Sequence, residues 1–113
     1  MKAIRSAALL ALLTLPLSAF AGHDDAELAL TAARANVASA ERADAGRYAT
    51  MELKTARDSL AQAEGSFEDR DWDDAEREAQ RAKADARLAE ARSRQHSAEA
   101  AASELENAIL TLQ

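Results

Sequence analysis

The side chains in this sequence that could do chemistry are few, and they stand apart. The only histidines are His23 and His96. A nucleophile needs a positioned base, and that base needs a group that orients it. His23 falls just behind a predicted cleavage site and is expected to be mobile. His96 lies midway along a long helical segment and reads as a solvated or interface side chain. There is no GxSxG, no glycine loop that could cradle a phosphate, and no HExxH. No catalytic, cofactor-binding or metal-ligating residue is assigned, and an enzyme is not expected.

One acidic stretch invites a calcium reading. Asp69, Asp71 and Asp73 alternate like the first three ligands of an EF-hand loop. The pattern then fails, because Asp74 stands where glycine should make the bend and Gln80 where a bidentate glutamate should close the site. The acids suit a helix N-terminus, where they meet the positive end of the dipole.

The elements that hold these residues are helices. Beyond residue 21 there is no proline, glycine occurs only at Gly22, Gly46 and Gly65, and about a quarter of the residues are alanine, the best helix former. No stretch alternates like a strand. The fold class is all-α, an antiparallel helical hairpin or three-helix bundle with a long third helix. The helices are expected at about 24–45, 50–66 and 71–111 of a domain covering 22–113.

The first helix should start near Asp24 or Asp25, carry Leu30, Ala33, Val37 and Ala40 as its stripe, and stop before Gly46 in a left-handed conformation. The second should be capped by Thr50 and carry Leu53, Ala56, Leu60, Ala63 and Phe67. The third should start at Asp71 and carry Ala75, Ala79, Ala82, Ala86 and Ala89, whose gaps of four and three are those of a seam between packed helices. Phe67 and Trp72 flank the turn between the second and third helices and are expected to clip it shut. The larger core side chains should be Leu30, Val37, Leu53, Leu60, Phe67, Trp72 and Leu88. Each alanine contributes only about 0.8 kcal/mol of burial, so this core is thin.

A second stripe occupies the far half of the third helix: Leu88, Ala91, Gln95, Ala98, Ala102, Leu105, Ile109 and Leu112. It has no partner within the chain. Leu88, Leu105, Ile109 and Leu112 are therefore the candidate interaction residues, for self-association or for a protein partner.

The first 21 residues look like a cleavable secretory signal. Lys2 and Arg5 precede an apolar run from Ala7 to Leu15, and Ala19-Phe20-Ala21 is a small-x-small cleavage site. The apolar run is too short to span a bilayer. The expected address is the periplasm, or the medium. Without cysteine the signal has no lipidation site and the chain no disulfide. Loss of Lys2 and Arg5 would take the formal charge from -6 to -8, which disfavours nucleic acid and anionic lipid as partners.

The segments ELxxAxxxLxxAE over Glu52–Glu64, the acidic turn with an aromatic over Asp69–Asp74, and AxxxAxxAxxDAxLAEA over Ala75–Ala91 resemble the domain of unknown function 4398 family. That resemblance implies a bacterial, exported, helical domain, often found in lipoproteins or ahead of an OmpA-like domain, with no catalytic residues to carry over. The reading from sequence is a non-enzymatic envelope scaffold or interaction module. The alternative is a small periplasmic chaperone that holds unfolded clients.

Overall fold

Alanine at four- and three-residue gaps lets three helix axes approach closely at little side-chain entropy cost. The computed structural model describes residues 18–113. They form α1 (Ser18–Arg42), α2 (Ala45–Tyr48), α3 (Thr50–Glu68) and α4 (Trp72–Thr111). The fold is all-α, with no strand among the described residues.

Ala75, Ala79, Ala82, Ala86 and Ala89 of α4 are fully buried. Against them α1 sets Leu30, Ala33, Val37 and Ala40, and α3 sets Leu53, Ala56 and Ala63. Both α1 and α3 pack chiefly on α4 and touch each other less. Half-buried Leu60 joins the two clusters into which the core divides. His23 meets Trp72 at one end and Ser93 meets Ala43 at the other, so α1 runs parallel to α4, with α3 antiparallel to both.

Polar pairs fix the seam's register. Ser59 donates to Asp85 at 2.7 Å, Ser66 to Glu78 at 2.7 Å and Ser39 to Glu90 at 3.2 Å. Each carboxylate lies on α4, and each serine on α1 or α3. Arg34 and Glu64, at 2.8 Å, and Arg57 and Glu41, at 2.6 Å, tie α1 to α3 on the outside. These ion pairs are exposed, and such pairs contribute little.

The helix ends differ from expectation in three places. α1 does not start at Asp24 or Asp25: both acids lie within a helix already formed at Ser18, and both are exposed. The expected leader lies outside the described residues up to position 17, and Ser18–Ala21 belong to α1. α1 stops at Arg42, and the left-handed residue after it is Asp44 (φ 61°), not Gly46, which is helical within α2. Aspartate enters this region more readily than most side chains do. The Asp44 carbonyl then starts the next turn by accepting from the N–H groups of Arg47 and Tyr48. Thr50 does not cap α3, because its Oγ1 donates back to the Gly46 carbonyl at 3.0 Å.

The turn from α3 to α4 spans only Asp69–Asp71. The Asp71 N–H donates to the Ser66 carbonyl and the Arg70 N–H to the Phe67 carbonyl, the paired bonds of a Schellman motif. Arg70 holds the left-handed position at φ 61°. Leu88 is a further correction: it is 50% exposed and no part of the core. Ala86 and Ala89 take the buried places on either side of it.

Candidate functional site

Past Ser97, which shares a concavity with Arg42 and Ala43 at the end of α1, nothing within the described residues covers α4. Arg94–Thr111 adds roughly 27 Å of helix at 1.5 Å per residue. The reason lies in which face is apolar. Continued beyond Ser93, the seam face presents Ser97, Ala100, Glu104, Asn107 and Thr111, so α1 and α3 would find little to bury there. The apolar residues move to the other side. At 100° per residue, the stripe from Leu88 to Leu112 lies roughly 160° around the helix from the alanine seam.

That stripe is open to solvent. Leu105 is 63% exposed, Ile109 50% and Leu112 88%, against full burial along the seam. Leu110, 67% exposed, adds apolar surface that the stripe did not include, and with Ile109 and Glu106 it lines a shallow concavity. A 3,4 gap count could not have found Leu110, since it sits one residue off the stripe. Leu88 belongs to the same outer side but lies over the bundle, beside Glu52 and Thr55 of α3. The structure thus gathers Leu105, Ile109 and Leu112 on the free arm and places Leu88 at its root.

Phe67 and Trp72 meet across the α3–α4 turn, ring centroids 5.0 Å apart and edge to face. His23 joins them, 4.8 Å from Trp72 and 5.3 Å from Phe67. The expectation of a mobile His23 is therefore corrected: α1 carries it onto an aromatic pair. Gly22 also borders the ring, and a Cβ there would make an ordinary contact with the Trp72 Cβ at 3.4 Å. On the outer side His23 Nδ1 lies 3.1 Å from Asp24, and these two with Glu27 bring ligand-type atoms within 4.8 Å of one another. His96 is exposed, 3.3 Å from Glu99.

The acidic turn has no room for a twelve-residue ion loop, because Asp73 and Asp74 already stand in the first turn of α4. Its acids interact with one another instead. A hydrogen bond shared with Asp74 raises the exposed Asp71 carboxyl above the ordinary aspartate range, helped by slight desolvation and by the Asp74 charge. The same bond, then the Arg77 guanidinium, holds Asp74 below that range.

A family model described as "Domain of unknown function (DUF4398)" matches residues 28–105. Neither the comparison with curated proteins nor that with solved structures found a match.

Proposed function

We propose, for a chain that belongs to the DUF4398 family, a non-enzymatic role as a helical scaffold of the bacterial cell envelope. On this reading the chain is exported to the periplasm by its leader and carries a rigid bundle with one projecting arm. The bundle of α1, α3 and the first half of α4 holds the arm, and the arm docks a protein partner. The observation that carries the reading is the change of apolar face on α4 at Ser93. Up to that point the buried face serves the chain's own helices. Beyond it the exposed apolar side chains lie on the side away from them.

Charge supports protein over nucleic acid as the partner, since the formal net charge is -6. No helix of the described residues is long and apolar enough to cross a membrane. The test is crosslinking in the envelope fraction with the parent and with a Leu105→Asp/Ile109→Asp variant. Discrete adducts that the variant loses, with its bundle still folded, are expected. Identical adducts from both would refute a docking role for the arm.

A second reading is favoured by one observation. Leu105, Ile109, Leu110 and Leu112 expose large apolar groups within eight residues, a surface that an unfolded client could contact. Suppression of aggregation of a denatured client, lost in the same variant, would favour this chaperone role over a scaffold with a defined partner.

A further inference from the structure

We propose that a second copy of this chain covers the outer stripe of α4, running antiparallel and related by a twofold axis beside Ala100. The inference rests on the reading of α4 as an interaction arm and names its partner.

Three features of the arm lead there. The first is the order of gaps. From Leu88 to Leu112 the stripe steps by 3, 4, 3, 4, 3, 4 and 3 residues, a series that is the same in both directions. Two antiparallel copies can therefore match every stripe residue with another. Leu88 falls opposite Leu112, Ala91 opposite Ile109, and Gln95 opposite Leu105. Ala98 and Ala102 face each other on both sides of the axis. Small residues at the centre let the helices approach closely, and larger ones close the ends.

The second feature is charge. The basic residues Arg87, Arg92 and Arg94 precede the axis, and the acidic residues Glu99, Glu104 and Glu106 lie at it or beyond. Antiparallel pairing sets each basic segment against the partner's acidic one, whereas parallel pairing would set like against like. In heptad terms Arg92 and Glu106 flank the seam on the same side, the positions that pair across an antiparallel coiled coil. Neither has an ion-pair partner among the described residues, whereas Arg94 is held by Glu90 at 2.6 Å. The dimer would form the Arg92–Glu106 pair twice. Glu99 alone meets its own copy across the axis.

The third feature is access. From Ala91 onward the stripe is exposed and faces away from α1 and α3, and at its root half-exposed Leu88 borders Glu52 and Thr55 of α3, so the second helix can lie along the arm with its end beside α3.

The chain has no cysteine, so introduced thiols report the register directly. Mixing full-length Ala98→Cys with full-length Ala102→Cys should give a disulfide-linked heterodimer, as should Leu88→Cys with Leu112→Cys. Leu88→Cys alone should not crosslink, because its copies would lie roughly 36 Å apart at 1.5 Å per residue. In sedimentation Leu105→Asp should weaken association by about 100-fold or more, since in each of the two copies a leucine leaves the seam and a charge enters it. Glu106→Arg should weaken it by roughly tenfold and Arg92→Glu/Glu106→Arg should recover it, as two exposed ion pairs are lost and restored. Glu99→Gln should tighten it. Crosslinking of Leu88→Cys with itself would overturn the antiparallel register. A parent chain that stays monomeric at about 100 μM would overturn self-pairing. Envelope adducts lost in Leu105→Asp/Ile109→Asp would then still support the arm as a docking surface for another protein.

Discussion

The hydroxyl of Ser93 on α4 donates to the carbonyl of Ala43, and this bond stands at the boundary between the covered and uncovered halves of α4. Ser93 is fully buried and follows Ala89 in the seam, so it takes a place that alanine holds elsewhere. Ala43 directly follows the last residue of α1, where carbonyls lack helical partners. The serine supplies the missing donor and stops the packing in one step. Ser93→Ala keeps the size of the seam but leaves the Ala43 carbonyl short of a donor. A loss of about 1 kcal/mol in urea unfolding is expected, the net worth of one hydrogen bond whose half-buried acceptor borders an open concavity.

The seam should tolerate no added bulk. Ala82 is fully buried between α1 and α3. Ala82→Leu must push the helix axes apart, at a cost of about 3 kcal/mol or more, the upper end for overpacked cores. Ala101→Leu places the same side chain on the exposed arm and should stay within about 0.5 kcal/mol of the parent. Thermal melts of the two variants give the comparison. Equal melting points would mean that the alanine row does not form the core.

The α3–α4 turn offers changes of opposite sign. Arg70 pays for a left-handed conformation that glycine adopts freely, so Arg70→Gly should raise stability by about 1 kcal/mol. Trp72→Ala removes the ring on which both Phe67 and His23 rest and should cost about 3 kcal/mol. Chemical unfolding of each variant checks both signs.

Asp71 and Asp74 should titrate on opposite sides of the ordinary aspartate value. For Asp74 the folded pKa is lowered, so its stabilising contribution is present above the unfolded pKa and is lost as pH falls through the folded one. For Asp71 the folded pKa is raised, so the ionised group disfavours the fold at neutral pH, and this penalty disappears as pH falls through both values. Asp71→Asn should therefore raise the melting point at pH 7 and Asp74→Asn should lower it, and both differences should shrink near pH 2. Carboxyl chemical shifts followed by NMR would give the two titrations separately.

Much of the architecture is legible before any coordinates, and the reason is physical. Alanine carries almost no shape of its own, so only its spacing can specify packing, and spacing is what a sequence displays. Ala75 through Ala89 could thus be placed in a seam from their gaps alone. Leu88 shows where that logic stops. Two stripes with the same 3,4 gaps interleave on α4, and periodicity does not say which one α1 and α3 will cover. The covering helices chose the smaller residues because close approach brings more backbone into contact, which left the leucine outside. The choice between Asp44 and Gly46 was hidden for a similar reason. Both tolerate a positive φ, and the packing of Ala45 and Ala49 into the core decides which one turns. The serine–carboxylate pairs join residues 12 to 51 positions apart, and no local pattern announces them. His23 reaches the aromatic turn only because α1 runs parallel to α4, a relationship that appears only once the helices are assembled.

We propose that α4 serves its own bundle up to Ser93 and another molecule beyond it. Amide hydrogen exchange across α4 tests this most directly, measured once in dilute protein and once with the arm engaged, in concentrated protein or with its envelope partner. An isolated helical segment of this length is marginal in water, so residues 95–111 should exchange rapidly when dilute while 75–92 stay protected, and protection of 95–111 should appear on engagement. Protection of 95–111 equal to that of 75–92 in the dilute monomer, or rapid exchange there under every condition, would contradict it.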